Sequence, residues 1–226
     1  MKGADAVTGV AVEGVRASAY TIPTDAPEAD GTFAWQQTTL VTVHVRGGGR
    51  EGFGYTYADA ATARLVHDSL APVVTGQDAF SIPRIWSAMA RAVRNLGRPG
   101  ICSMAISAVD AALWDLKGKL TGLPVVSLLG AARDCVPIYG SGGFTTYSKK
   151  QLQTQLGGWA QSGIPRVKMK IGAHPAHDVT RVREAREAIG DGVELFVDAN
   201  GAYDRKQALV QDQATFCLSG LSKRQP

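Results

Sequence analysis

The sequence predicts a mixed fold, with a small α+β module first and a run of α/β units after it. Three observations carry that reading. Residues 38–57 form two strand-like stretches around a glycine-rich turn, residues 103–124 form one amphipathic helical stretch, and from residue 136 short apolar strands alternate with helical segments. Strands joined by helices favour a parallel sheet with right-handed crossovers. With 226 residues, 45% of them hydrophobic, the chain has material for one large or two modest cored domains.

In chain order, Val7–Tyr20 alternates weakly and suits a strand. Residues 21–36, "TIPTDAPEADGTFAWQ", are rich in proline, acid and glycine and read as a long irregular loop. In "TTLVTVHVR" (38–46), Leu40, Thr42 and His44 alternate with Val41, Val43 and Val45, a strand pattern of good β-propensity. "FGYTY" (53–57) gives a second strand, and the pair makes a hairpin. Between them "GGGREG" matches GxGxxG, but a dinucleotide site needs a helix after the glycines, and here a strand follows. From Ala58 to about Ala92 the spacing is helical, with breaks at Pro72 and Pro83. In "SMAISAVDAALWDLKGKLTGLP" (103–124), Ile106, Val109, Ala112, Leu113, Leu116 and Leu120 make one apolar stripe, and Gly122 and Pro124 stop the helix. Its charges read as a solvated face and Trp114 as packing.

The second half repeats a β/α unit. "VPIYGSGG" (136–143) precedes the helical "SKKQLQTQLGGWAQSG" (148–163). "RVKMKIG" (166–172) precedes "PAHDVTRVREAREAIG" (175–190), where Val179, Val182, Ala185 and Ile189 share a side. "VELFVDANG" (193–201) leads into "YDRKQALV". An open sheet and a (β/α)8 barrel both fit this alternation.

Charge and cysteine content exclude several functions. The net charge is +4, with no basic run and no aromatic-interleaved basic stripe, which argues against nucleic acid. Cys102, Cys135 and Cys217 are far apart with no CxxC, against a disulfide framework or zinc site and in keeping with a reducing compartment. No stretch approaches the roughly 20 apolar residues of a membrane helix, and Met1–Val10 lacks a signal-peptide core. The expectation is a cytoplasmic protein with no membrane partner. His174 and His177, three apart without a third ligand nearby, read as solvent-exposed; His44 and His67 have no chemical context, and no nucleophile triad signature occurs.

The unusual chemistry lies in "RVKMKIG". Val167, Met169 and Ile171 alternate with Lys168 and Lys170, so both amines fall on the face opposite the apolar set. Asp198 and Asn200 share a face at the carboxyl end of the next strand. Two readings follow. One is a structural charge cluster in which the carboxylate and the amines neutralise one another. The other is a catalytic mouth, since barrel chemistry gathers at that end of the strands. Two lysines near each other and near a bound divalent cation are expected to have depressed pKa values, because each positive charge disfavours protonating the next, and a lysine held that way can serve as a general base. Asp198 is a hard oxygen ligand of the kind Mg2+ takes.

The stretch "AISAVDAALWDLKGKLTGLPVVSLLG" (105–130), together with "VPIYGSGG", the Lys-x-Lys of "RVKMKIG" and "VDANGAY" (197–203), resembles the mandelate racemase/muconate lactonizing branch of the enolase superfamily over roughly residues 7–208. The resemblance implies an α+β capping domain (1–130) followed by a partial (β/α)8 barrel (131–226) holding about the first three β/α units. It implies Mg2+ and abstraction of the α-proton of a small-molecule carboxylate substrate, foremost an acid sugar undergoing dehydration. Racemisation or epimerisation, cycloisomerisation and a non-catalytic fragment stand as alternatives. By the same resemblance Lys170 is the base, Lys168 polarises the substrate carboxylate, Asp198 is the first metal ligand and Asn200 a polar neighbour of the substrate. The loop 21–36 closes over substrate, with Tyr20 and Trp35 touching it, and a homo-oligomer is implied for full-length relatives. After about Ala208 the pattern departs. The Glu-Glu-Pro segment with the second metal ligand, the third ligand and the opposite acid/base are missing, so the expectation is a truncated or frame-shifted chain with little activity by itself.

Overall fold

The structure, a computed structural model, describes residues 9–216. The expected strand start at Val7, Cys217 and the divergent tail beyond Phe216 lie outside the described residues. Contacts divide the chain into two units, Met1–Pro23 with Gln37–Asp134 and Thr24–Gln36 with Cys135–Pro226.

The first unit is built on a sheet of order β1-β2-β3, with β1 at Val12–Ala29, β2 at Ala34–Gly47 and β3 at Arg50–Tyr57. The hairpin is present: β2 and β3 pair antiparallel from Leu40↔Tyr57 to Gly47↔Arg50. Gly48 and Gly49 have φ of 56° and 69°. A two-residue hairpin turn twisted to match its strands needs both central residues left-handed, which explains the glycine run without any nucleotide. Val41, Val43 and Val45 are fully buried.

The region 21–36 corrects its expectation. It is mostly strand, because β1 runs on to Ala29 and β2 begins at Ala34. Pro23 and Pro27 are tolerated because β1 lies at the edge of its sheet, where a missing N–H costs no ladder bond. Only the tip turns, and there Asp30 Oδ1 accepts from the backbone N–H groups of Thr32 at 2.7 Å and Phe33 at 2.8 Å.

Helices cover the inner face of the first sheet. Helix α1 (Ala61–Leu65) passes through a π turn (Val66–Leu70) into α2 (Ala71–Val74). The break expected at Pro72 is thus a widened turn just before a residue that cannot donate. Pro83 sits in the first turn of α3 (Ile82–Ala92), where no N–H is needed. Helix α4 (Ile101–Thr121) buries Ile106, Val109, Ala112, Leu113 and Leu116 as its stripe predicts, and ends at Gly122 with φ 67°. A short α5 (Val125–Leu129) follows. Trp114 packs against this core with the Lys117 amine 5.0 Å from its ring. Not all the α4 charges are a solvated face. Asp115 accepts from the Phe53 N–H at 2.7 Å and from Lys119 at 2.7 Å, tying helix to sheet, and burial pushes the Asp110 carboxyl up.

The second unit is a parallel sheet of order β4-β5-β6, formed by Gly140–Ser141, Arg166–Lys170 and Glu194–Asp198. Helices α6 (Lys149–Gln161), α7 (Pro175–Ile189) and α8 (Arg205–Phe216) alternate with the strands. Ser148 and Gln151 form a capping box at the start of α6. Leu152, Leu156, Val167, Met169, Val182, Ala185 and Leu195 make a dry core between sheet and helices. Strand β4 is shorter than "VPIYGSGG" suggests, and Val136 and Ile138 are exposed. Its register, Gly140↔Val167, leaves little of β5 for residues before Gly140 to pair with, since Pro165 without an N–H precedes the strand.

Close packing of α4 on β3 depends on two glycines. A Cβ at Gly52 would lie 2.0 Å from the Ala112 carbonyl oxygen and one at Gly54 2.1 Å from that of Ala108, whereas one at Gly14 meets nothing. Gly52→Ala is expected to destabilise the first unit by about 1–3 kcal/mol in urea denaturation, and Gly14→Ala to stay within about 0.5 kcal/mol.

Candidate functional site

Strand alternation explains the two lysines. Val167 and Met169 are fully buried and Ile171 nearly so on the helix side of the sheet. Lys168 and Lys170 therefore emerge on the other face, each with only 13% of its side chain exposed. The parallel register Lys168↔Phe196 and Lys170↔Asp198 puts Phe196 and Asp198 on that same face. Lys170 and Asp198 are the last residues of their strands, so the cluster stands at the carboxyl ends.

Its geometry is compact. Asp198 Oδ2 accepts from Lys170 Nζ at 2.7 Å and from Lys168 Nζ at 3.3 Å. Lys170 also donates to Asn200 Oδ1 at 2.7 Å. Asp198 Oδ1 accepts from the Asn200 N–H at 3.0 Å, and Asn200 has φ 50°. Asparagine is one of the few residue types at home in that left-handed conformation. The turn thus leaves one carboxylate oxygen for both amines.

The two lysines are shifted in opposite directions. Burial, helped by the neighbouring Lys170, pushes Lys168 down. Lys170 is pushed up: burial works against its charge, but the bond it donates to Asp198, its contact with Lys168 and the nearby Asp30 carboxylate outweigh that. Asp198 is lowered, its own burial being outweighed by Lys170, the Asn200 N–H and Lys168. The asymmetry follows distance, because the carboxylate stands closer to Lys170 than to Lys168.

The ribbon tip closes on this end of the sheet. Thr145 donates from its N–H to the Ala29 carbonyl at 2.9 Å and from its hydroxyl to that of Asp30 at 2.9 Å, and Thr146 donates to Pro27 at 2.7 Å. A Cβ on Gly31 would lie 2.3 Å from the Ala199 oxygen and 2.7 Å from that of Ile171, so only glycine fits over the turns after β5 and β6. Trp35, half-buried, donates Nε1–H to Glu28 at 2.7 Å and meets Phe144 edge-on at 5.5 Å. A cavity beside it is lined by Asp25, Glu28, Ser141, Phe144, Tyr147 and Gln155. Tyr20 is exposed and belongs to the first unit, whereas Lys168, Lys170, Asp198 and Asn200 belong to the second.

Sequence reasoning missed Asp30 and Asp178. Asp178 is 1% exposed and accepts from the Gly172 N–H at 3.0 Å and from the Tyr203 hydroxyl. It joins the turn after β5 to the one after β6, and burial beside it pushes the Tyr203 phenol up. Arg181 donates to the Tyr147 and Phe144 carbonyls at 2.9 and 3.0 Å, shaping the loop that clasps the ribbon. An acid in the first turn of a helix after Lys-x-Lys is the one signal that pointed to Asp178. His174 and His177 are exposed, as expected.

Among the described residues no three His, Cys, Asp or Glu side chains converge to hold a metal. Asp198 and Asn200 offer hard oxygens, but too few for a near-octahedral ion, which commonly keeps several waters.

An antiparallel sheet backed by helices and a parallel β/α sheet with a Lys-Lys-Asp-Asn cluster at its carboxyl ends define an α/β protein of enolase type. The N-terminal domain of the mandelate racemase/muconate lactonizing enzymes matches residues 16–130, and the enolase C-terminal domain-like family matches residues 151–213. The chain belongs to the mandelate racemase/muconate lactonizing enzyme family of the enolase superfamily. It is 33% identical over 216 residues to L-talarate/galactarate dehydratase of Salmonella typhimurium, covering 90% of this chain and 54% of that protein. It is 38% identical over 196 residues to 3,6-anhydro-alpha-L-galactonate cycloisomerase of Streptomyces coelicolor, covering 84% and 54%. The chain therefore spans about half the length of these relatives. A mandelate racemase/muconate lactonizing enzyme-like protein from Rubrobacter xylanophilus superposes with a TM-score of 0.91 at 57% identity, covering 94% of this chain and 59% of that one. The Salmonella dehydratase liganded with Mg and L-lyxarohydroxamate superposes with a TM-score of 0.85 at 31% identity, covering 96% and 59%.

Removing the carboxylate tests the electrostatics. In Asp198→Asn the Lys170 amine is expected to titrate at lower pH than in the parent, followed by its 13Cε shift. The lowered Asp198 pKa makes its contribution to stability fully present above about pH 4, the ordinary carboxylate value, and lost as pH falls through the lowered one. The raised Lys170 pKa makes its contribution present below about pH 10.4 and lost above it, as pH climbs through the raised value.

Proposed function

We propose that this chain is the capping domain (1–130) and first β/α units (131–226) of a barrel enzyme that removes the α-proton of a small carboxylate substrate. The foremost reaction is dehydration of an acid sugar. The observation that carries the proposal is the pair of largely dry amines facing one carboxylate at the carboxyl ends of parallel strands, under a polar ribbon tip. In this reading Lys168 holds the substrate carboxylate, an anion suited to a site that already gathers two ammonium groups. Lys170 is the base; it lies at the strand end and can accept a proton when the charge of Asp198 is engaged elsewhere. Asn200 and Trp35 contact the rest of the substrate. Asp198 would be one ligand to Mg2+, an ion that would stabilise negative charge on the substrate carboxylate. After α-proton removal the β-hydroxyl departs with a proton, leaving an enol that ketonises, so the net loss is one water.

Cycloisomerisation starts with the same proton removal, and the cycloisomerase relative keeps it as the second reading. The acid/base that would distinguish the two is not among the residues singled out here. With no three His, Cys, Asp or Glu side chains converging among the described residues, this chain by itself is expected to turn over slowly if at all and to give no saturable Mg2+ titration below millimolar concentration by calorimetry. Tight magnesium binding or rapid turnover of galactarate or talarate by the purified chain would contradict that. In a full-length relative with the same Lys-x-Lys and Asp-x-Asn pairs, replacing the lysine equivalent to Lys170 with alanine should lower dehydration of sugar acids by at least about 1,000-fold, within the range a general base supplies. Retained dehydration would remove Lys170 from the role of base.

A further inference from the structure

One cavity of the first unit takes no part in the reaction proposed above. It holds about 260 Å³ and is lined by Trp86 of α3, by Arg98 from the segment before α4, and by Ser103, Ile106, Ser107 and Asp110 of α4. Ser103, Ser107 and Asp110 recur at four and three and so share one side of α4, opposite the Ala108 and Ala112 side that meets β3. Ser103 donates its hydroxyl to the Arg98 carbonyl at 2.6 Å, and the Arg98 guanidinium lies 5.7 Å from the centre of the Trp86 ring. A guanidinium stacked on an indole keeps its in-plane N–H donors for another partner. Asp110 is the unusual member. Burial alone pushes its carboxyl up, and among the described residues it has no hydrogen bond or ion pair, Arg98 included. Asp115, on the same helix, is bonded to both Phe53 and Lys119.

We propose that this cavity binds a small α-amino acid as its zwitterion, the ammonium on Asp110 and the carboxylate on Arg98. A half-dry carboxylate without a donor carries a desolvation cost that a charged donor removes. Arg98 is tied at Ser103, and Asp110 lies seven residues further along the helix, about 10 Å of its axis. The two charges make no ion pair with each other, so a molecule that joins them needs an anionic end and a cationic end of its own. A simple amine would meet Arg98 with like charge, and a sugar acid would give Asp110 only hydroxyls. An α-amino acid serves both, its carboxylate accepting paired N–H donors from the guanidinium fork. Ser107 adds a hydroxyl able to donate or accept, and Ile106 and the 40%-exposed Trp86 offer apolar surface to the side chain. At about 30 Å³ per water-sized group the cavity has room for about eight, enough for a short aliphatic amino acid. The site stands whether or not the chain removes an α-proton.

Titration of the full chain with L-valine, followed in 1H–15N correlation spectra, tests this. Valine should shift the Trp86 indole N–H and the backbone peaks of residues 103–110, saturating within about 10 mM. It should bind at least about tenfold more tightly than isobutylamine or isovalerate, which keep one charged end each, and that comparison needs only the parent chain. Asp110→Asn and Arg98→Gln should each weaken valine at least about tenfold with far-UV circular dichroism unchanged. Arg64→Gln, another charge change in the first unit, should leave its binding where it was. Absence of any shift at about 50 mM valine overturns the proposal. So does binding that either singly charged analogue matches, or that survives both substitutions.

Discussion

A carboxylate shared by two amines on the half-dry face of a parallel sheet is the interaction on which the second unit's chemistry rests. Asp198 spends one oxygen on the turn that holds Asn200 and the other on Lys170 and Lys168. Remove its charge and two ammonium groups stand side by side, each only 13% exposed, with Asp30 as the remaining acid near Lys170. The two amines share that one carboxylate. The protonation of Lys170 is therefore coupled to the charge of Asp198.

Around that cluster the molecule is arranged to hold position. Asp178 clasps the turns after β5 and β6 from inside, through the Gly172 N–H and the Tyr203 hydroxyl. The ribbon tip lies on the same turns, at a separation that admits only a glycine at residue 31. Thr145 and Thr146 secure the ribbon by side-chain bonds to its carbonyls, and Arg181 in turn holds the loop that carries them. A buried carboxylate with two donors is expensive to replace, since each donor would be left without a partner.

The first unit solves a different problem. Helix α4 approaches β3 so closely that two backbone glycines replace side chains at the contact, and Asp115 fastens the helix to the sheet edge through the Phe53 N–H. With Gly52 and Gly54 facing the helix, strand alternation turns Phe53, Tyr55 and Tyr57 to the opposite face, where they are exposed.

Alternation and helical spacing were enough to read the hairpin at Gly48–Gly49, the stripe of α4, the three β/α units and the shared face of Lys168, Lys170, Asp198 and Asn200, because each of these follows from local periodicity. Proline and acid in residues 21–36 pointed to a loop, yet an edge position let those residues pair on one side as strand. The opposite pKa directions of the two lysines were not legible either, since they hang on a difference between 2.7 and 3.3 Å. Asp30 and Asp178 reached the site only through the fold, across 140 and 8 residues from Lys170. Local chemistry thus decided which groups this protein brings to its sheet; distance and burial, which exist only once the chain has folded, decided in which direction the pKa of each lysine moves.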